Sequence, residues 1–171
     1  MDFFDALQSR RSIRNFSDRP VEQDKVQAIL EAANSAPSAG NLQAYEIYLV
    51  TRIEDRSKLA RAALEQWFVA EAPIALVFCA NPQRSAQRYG KRGTDLYAVQ
   101  DATIACTSAM LAATALGLAT VWVGAFDDDS VRRAIKAPSG VTPVAILPIG
   151  YAAESPEKTP RRPLTELVHE V

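Results

Sequence analysis

The chain has 171 residues, of which 48% are hydrophobic, and this predicts one domain over residues 1–171 with a sizeable buried core. Nineteen basic residues are balanced by twenty acidic ones, which argues against nucleic acid as a partner because no positive excess draws the molecule to a phosphate polymer. The first residues lack the pattern of a signal peptide and no stretch reaches the roughly 18 apolar residues of a membrane span, so we expect a cytoplasmic protein without a membrane partner.

The predicted elements begin with a short helix. Asp2 is a suitable N-cap, and three apolar residues then share one helical face: Phe3, Phe4 and Leu7. The motif RRSIRNF, residues 10–16, follows directly, so its three arginines lie where the helix gives way to a loop. A second helix is predicted from about Glu22 to Ser35, because apolar residues recur at helical spacing before Pro37 stops it.

Four apolar runs predict β-strands. They cover Tyr45–Val50, Ile74–Ala80, Ala119–Val123 and Val144–Ile149. The last three are apolar almost throughout, which is typical of central strands that are covered on both faces. Cys79 and Cys106 lie within apolar runs, without a CxxC motif or a nearby histidine, so we expect reduced core thiols and no metal site.

A long helix is predicted between the second and third strands, with Thr94 as its N-cap and Gly117 as its stop. At the usual rise per residue it would span about 33 Å. Its alanines are spread around the whole circumference, so the helix needs cover on every side. A chain of this length can hardly supply that cover and also cover a sheet, so we predict a homodimer. The alternative is a helix enclosed within one subunit.

Three separate stretches have the composition of a binding site. Residues 10–16 form one, and the paired arginines at 161–162 form another. Two such clusters can close on one phosphate, because a guanidinium group binds phosphate oxygens through two parallel hydrogen bonds. The third stretch is residues 35–46, where Asn41 and Gln43 offer amide donors and acceptors to a heteroaromatic ring. Taken alone, each stretch also fits a solvated surface or a turn.

The end of the third predicted strand adds a further candidate. Gly124 and Ala125 have almost no side chain, so backbone N–H groups there can approach a flat ligand closely. The acidic run at residues 127–129 precedes a helical pattern and suits a helix start better than a metal site. His169, close to the end of the sequence, suits a surface position, so the chain offers no convincing general acid or base.

Together these motifs resemble the FMN-dependent nitroreductase-like flavoproteins. The likeness covers most of the chain in the same order, as RRSIRNF, ILEAANSAPSAGNLQAYEIYLV, LGLATVWVGAF, and PIGY followed by RRPL. The resemblance implies an α+β nitroreductase-like fold, in which a central mixed, largely antiparallel sheet is flanked by helices. It also implies an intertwined homodimer around a long interface helix, with two FMN molecules at the dimer interface.

The resemblance assigns flavin contacts by position. Arg10, Ser12 and Arg14 match the ligands of the flavin phosphate, ribityl chain and pyrimidine ring, and Arg11 adds charge or a backbone contact. A cation near the pyrimidine ring would tune the flavin potential. Pro37, Ser38 and Ala39 match a segment of the partner subunit that lies along the flavin, and Asn41 and Gln43 are the two amide residues after it. Gln66 matches a polar contact on the helix before the second strand, and Gly124 and Ala125 match a strand end that reaches flavin N5 and O4. Arg161 matches a C-terminal phosphate arginine, with Arg162 as the second choice.

The implied activity is hydride transfer from NADH or NADPH through FMN N5 to a small electrophilic acceptor such as a nitroaromatic or a quinone. FMN carries this chemistry, so no catalytic side chain is expected. The alternatives are a noncatalytic module that binds flavin or a nucleotide and, more distantly, an arginine-mediated nucleic-acid binder.

The sequence departs from the family pattern in two places. Many members read Gln-Pro-Trp after the asparagine, whereas Gln43 is followed here by Ala-Tyr. The connection from Ala80 to Thr94 is short, which leaves little room for the helices that cover the substrate pocket in larger members. Residues 84–93 within it are either a basic and aromatic lining of that pocket or a solvated loop.

Overall fold

The computed structural model describes all residues from 1 to 171. Its helices are α1 (Phe3–Ser9), α2 (Gln23–Asn34), α3 (Ile53–Ala62), α4 (Phe68–Glu71), α5 (Pro82–Arg92), α6 (Ala98–Ala115) and α7 (Asp128–Ala134). Its strands are β1 (Tyr45–Val50), β2 (Ile74–Ala80), β3 (Ala119–Thr120) and β4 (Thr142–Gly150). Short 3₁₀ turns cover Ala39–Asn41 and Leu164–Glu166, and one π-helical turn, Gly93–Tyr97, joins α5 to α6.

The strands form one sheet in the order β1-β2-β4-β3, and every ladder in it is antiparallel. The expectation that β3 is a central five-residue strand is wrong. β3 lies at the end of the sheet and pairs with β4 over two residues, after which pairing resumes only at Val123, opposite Ile146. On the other side of β3, Thr120 forms a parallel bridge to Ser12, so the α+β class with a largely antiparallel sheet is confirmed.

Helix ends follow the local capping chemistry. The Asp2 carboxylate accepts a hydrogen bond from Asp5 N at 2.9 Å, which confirms the predicted start of α1. α2 lies between Glu22 and Ser35, as its periodicity predicted. Asp127 accepts from Ser130 N at 2.8 Å, so the acidic run starts a helix.

Two cores cover the two faces of the sheet. α2 and α6 pack on one face and enclose Ile29, Phe78 and Leu147, whereas α3, α4 and α7 pack on the other face around Leu59 and Val77. Consequently every residue of β2 is buried. Two core residues are the predicted thiols: burial raises the pKa of Cys79 to about 12 and raises that of Cys106 as well, and both cysteines are free.

The long helix α6 differs from its predicted form at one end. Thr94 is not an N-cap, because α5 and the π-helical turn lead directly into α6 and the Thr94 hydroxyl donates back to Gly90 O at 3.3 Å. The other end is confirmed: Gly117 has a φ of +75° and Leu118 N donates to Ala113 O at 2.9 Å. Although α6 is apolar, neither it nor any other helix of the chain is long and apolar enough to span a membrane.

One side of α6 is covered within the chain and another is not. Its buried side includes Ala102, Ala105 and Ala109, which face the sheet core. Val99 and Ile104 are each 38% exposed, although both are large and apolar. This chain therefore covers α6 on one side and leaves the other side without the cover that the sequence predicted it to need.

The segment 84–93 is not a solvated loop. Asn81 caps α5 through a 3.1 Å hydrogen bond from Arg84 N, and Pro82 occupies the first turn, where its missing N–H costs nothing. The C-terminal end of α5 is tightly packed, because a Cβ on Gly93 would lie 2.6 Å from Ser85 O. The sequence expectation missed this helix because its outer side chains are almost all polar.

Gly150 ends β4 where the chain turns toward the arginine motif, and an added Cβ there would lie 2.5 Å from Pro73 Cδ and 3.0 Å from Phe16 Cδ1. We expect Gly150→Ala to lower the free energy of unfolding by about 1–3 kcal/mol, because the packed rings must move. Urea denaturation measures the change. Gly140→Ala is the matched control, since its nearest neighbour would be 3.8 Å away, and an equal loss in both variants would contradict the packing argument.

Candidate functional site

The arginine motif is held on both sides by the end of the sheet. Ile13 N donates to Thr120 O of β3 at 3.0 Å, and the bridge between Phe16 and Ala152 fixes the motif against the chain that leaves β4. The carboxylate of Glu154 also accepts from the backbone N–H groups of Arg14 and Asn15. The backbone of residues 12–16 is thus held at several points, so the motif has a defined place at the end of the sheet.

A cleft of about 390 Å³ brings the two ends of the chain together, and we call it the arginine cleft. It is lined by five cationic side chains and one carboxylate, which are Arg10, Arg11, Arg14, Lys158, Arg161 and Glu157. Ser12 also lines it. Burial lowers the pKa of Arg10, and the charges of Arg161 and Arg11 lower it further. This excess of unpaired positive charge is the environment in which an anion binds.

The two C-terminal arginines have different surroundings. Arg161 lines the arginine cleft, whereas Arg162 lies outside it and pairs with Glu166 at 3.2 Å. Arg11 lines the cleft but turns its guanidinium back onto Gln8 O at 2.6 Å, at the end of α1. Arg161, the first choice for the C-terminal phosphate arginine, therefore lies in the cleft, and Arg162 does not contribute to the cleft in this chain.

A second cavity, of about 490 Å³, lies on the exposed side of α6, and we call it the loop cavity. Pro37, Ser38 and Ala39 line it together with Tyr97 and Ile104. None of these residues lines the arginine cleft. Within one chain some predicted flavin residues thus line the arginine cleft, others line the loop cavity, and the rest line neither.

The loop that follows Ala39 has an unusual backbone. Gly40, Asn41 and Gln43 have φ values of +57°, +56° and +48°, and left-handed residues of this kind are uncommon except for glycine and asparagine. The Gln43 amide donates to Asn41 Oδ1 at 3.1 Å, so the two predicted amide residues bind each other. The loop must be held in this conformation by contacts elsewhere in the chain.

Asp101 supplies those contacts, and the sequence analysis missed it. Its carboxylate, 2% exposed on α6, accepts from Ala39 N at 2.9 Å and from Ala44 N at 3.3 Å. A buried carboxylate is stable only with such partners, so Asp101 and the loop stabilise each other. One sequence feature could have indicated this role: Asp101 is the one acidic residue of the alanine-rich helix α6, and it lies on the side that faces the sheet.

The remaining predicted flavin contacts, Gln66, Gly124 and Ala125, lie close together. Gln66 is in the turn between α3 and α4, rather than on a helix, and its amide donates to Ala125 O at 3.3 Å. Gly124 and Ala125 are both exposed beyond the short pairing at Val123. The structure thus joins Gln66 with the strand end, although these residues line neither the arginine cleft nor the loop cavity.

Comparison with known proteins identifies the fold family. The sequence pattern of the Nitroreductase family matches residues 7–88 and 68–151. This chain belongs to that family. Among related nitroreductases, the oxygen-insensitive NADPH nitroreductase of Salmonella typhimurium is 34% identical over an alignment of 171 positions, gaps included, which covers 96% of this chain and 71% of the relative. The FMN reductase [NAD(P)H] of Bacillus subtilis is 33% identical over an alignment of 178 positions, gaps included, which covers 96% of this chain and 72% of the relative.

Solved structures agree with this nitroreductase assignment. The NADPH:FMN oxidoreductase of Vibrio harveyi, solved in complex with NAD⁺, superposes with a TM-score of 0.90 at 30% identity. The match covers 98% of this nitroreductase and 76% of that chain. The α+β nitroreductase fold inferred from the ordered motifs is therefore confirmed.

Asp101 offers a direct test of how the loop is held. We expect Asp101→Asn to lower the free energy of unfolding by about 1–3 kcal/mol, because the amide keeps one acceptor and places N–H donors opposite a backbone N–H. Urea denaturation measures this loss. The control is Asp95→Asn, which removes an exposed carboxylate that pairs only with Lys91. If both variants lose the same stability, the buried hydrogen bonds of Asp101 are not what holds the loop.

Proposed function

We propose that this chain is an NAD(P)H-dependent FMN oxidoreductase that passes a hydride through FMN to a small electrophilic acceptor such as a nitroaromatic or a quinone. The observation that carries the proposal is the arginine cleft, where cations from both ends of the chain line one cavity. The family and its named FMN reductases and NADPH nitroreductases support the same activity.

The arginine cleft fits the phosphate end of FMN. Arg10 is half-buried beside Arg161, and the mutual repulsion of these groups is relieved when a dianionic phosphate lies between them. The Ser12 hydroxyl, on the same wall, is a neutral donor and acceptor for the ribityl chain. Arg14 supplies a further cation, which we assign to the pyrimidine end of the flavin.

The exposed strand end fits the flat part of the flavin. Gly124 and Ala125 present backbone without bulky side chains, and Gln66 holds the carbonyl of Ala125. The chemistry that FMN supplies when bound is reversible hydride transfer between a nicotinamide and an acceptor. The chain then has three tasks, which are to hold the phosphate, to orient the ring with backbone groups and to keep water away from the reacting face.

We further propose that a homodimer completes the site. The exposed Val99 and Ile104 of α6 need cover, and residues 152–171 extend along the surface with every side chain exposed. A second subunit would cover both, and it would place the loop cavity of one chain, with Pro37–Ala39, next to the arginine cleft of the other. The cytoplasm is the proposed location, since Cys79 and Cys106 are free.

Anaerobic mixing of the FMN-loaded protein with NADH or NADPH tests the activity. Rapid bleaching of the flavin absorbance is expected. Slow or absent bleaching with both donors, in a protein that nevertheless retains FMN, would instead support a noncatalytic flavin-binding module. Purified protein without flavin absorbance and with steeply salt-dependent binding to nucleic acid would contradict both.

Arg14 tests the assignment of the cleft. We expect Arg14→Ala to weaken FMN binding by about tenfold or more, because a hydrogen bond to a charged group contributes about 1.5–3 kcal/mol. Fluorescence titration of the apoprotein with FMN measures the dissociation constant. Lys58→Ala is the control, since Lys58 is exposed on α3 and pairs with Asp55. Equal retention of FMN by the two variants means that the pocket is misplaced.

The C-terminal arginines give a closely matched pair of variants. Arg161→Ala should weaken FMN binding by about tenfold, because it removes a cation that lines the cleft. Arg162→Ala removes the same charge one residue later, where it is already paired with Glu166, and should leave the dissociation constant unchanged. The reverse order of effects would show that Arg162 is the phosphate ligand.

A further inference from the structure

Helix α5 carries charges that the proposed flavin site does not use. Two of its cations already have carboxylate partners, because Arg84 lies 3.2 Å from Glu46 and Lys91 pairs with Asp95. Arg88 and Arg92 are exposed and have no carboxylate within 4.0 Å. A cation without a partner at an exposed position is available to an anionic ligand.

Arg88 and Arg92 are not scattered surface charges, because each lies against one ring of an aromatic pair. Tyr89 and Tyr97 meet edge to face with their centroids 5.1 Å apart. The guanidinium carbon of Arg88 lies 5.5 Å from the Tyr89 ring centre, and that of Arg92 lies 5.3 Å from the Tyr97 ring centre. Arg92 Nε also donates to the Tyr97 hydroxyl at 2.9 Å. These contacts restrain both side chains.

The aromatic pair borders the loop cavity. Tyr97 lines that cavity beside Pro37–Ala39. On the other side, the Tyr89 hydroxyl lies so close to Gly40 that an added Cβ would be only 2.5 Å from it, and Arg88 Nη1 reaches Gly40 O at 3.5 Å. The two free arginines therefore stand at the rim of the loop that the proposed function places along the flavin.

We propose that Arg88 and Arg92 form a phosphate subsite for the nicotinamide dinucleotide donor. The inference rests on the proposed function, since it concerns the second ligand of the same site. A nicotinamide that lies on the flavin leaves its pyrophosphate and adenosine to extend past the rim of the pocket. That part of the donor carries two or more negative charges, and guanidinium groups held on tyrosine rings bind phosphate with directional hydrogen bonds.

This subsite is separate from the one assigned to FMN. None of the α5 residues lines the arginine cleft, and no residue of the arginine motif lines the loop cavity. A change at Arg92 should therefore alter the affinity for the donor and not the retention of FMN, whereas a change at Arg88 also removes its contact with Gly40 O in the loop that the proposed function places along the flavin. Two sources of phosphate are possible on the donor, the pyrophosphate of both nucleotides and the 2′-phosphate of NADPH alone.

The test uses the FMN-loaded protein and the variants Arg88→Gln, Arg92→Gln and the double variant. Isothermal titration with NADP⁺ and with NAD⁺ measures binding without turnover, and anaerobic stopped-flow reduction by NADPH and NADH gives the donor dissociation constant and the limiting rate separately. Each single variant is expected to weaken donor binding by about tenfold, and Arg92→Gln should do so with the limiting rate and the FMN content unchanged. Lys91→Gln, on the same helix but already paired, is the matched control.

The pattern of losses identifies the phosphate. Weaker binding of NADP⁺ alone supports the 2′-phosphate, and equal weakening of NADP⁺ and NAD⁺ supports the pyrophosphate. Unchanged binding of both nucleotides to the double variant, or an equal loss in Lys91→Gln, overturns the inference. If the unaltered FMN-loaded protein is reduced by neither donor, the proposed function itself is wrong, so the two failures can be told apart.

Discussion

The candidate site depends on cations that repel one another, and backbone pairing holds in place one of the two segments that carry them. Arg10 and Arg161 come from opposite ends of the chain, and the pKa of Arg10 is lowered first by burial and then by the charge of Arg161. The hydrogen bond from Ile13 N to Thr120 O, the bridge from Phe16 to Ala152 and the Glu154 carboxylate prevent the motif from moving away. Folding of the sheet therefore fixes the arginine motif on one wall of the cleft, and an anion bound there would relieve the repulsion between its cations.

The loop that the proposed homodimer places along the flavin is also held by residues distant in the sequence. The loop at 37–44 has no regular strand or helix to hold it, apart from one 3₁₀ turn, yet three of its residues are left-handed. Asp101 holds it from the buried side of α6, and α5 holds it from outside through Arg84, which donates to Gln43 O at 3.0 Å. The loop is thus hydrogen-bonded to helices on both of its sides.

Much of the fold could be predicted from the sequence, because local signals are strong where capping and periodicity agree. α1 and α2 follow from Asp2 and from helical spacing, β2 follows from an uninterrupted apolar run, and β1 follows from a run of aromatic and aliphatic residues that only Glu46 interrupts. β3 could not be bounded this way, since its length depends on which residues of β4 lie opposite it. Asp101 was missed for a related reason: its partner Ala39 is 62 residues away, and no local pattern records that contact.

The tight packing at the C-terminal end of α5 limits which of its positions can change in related sequences. Gly93 has no room for a side chain against Ser85, so the base of the helix is closed to substitution. Arg88 and Arg92 are exposed, and Gly90 between them adopts a φ of +53° with open space around it. Under the proposed donor subsite, charges on this outer surface can change while the scaffold beneath stays intact, so that electron-donor choice would evolve apart from cofactor retention.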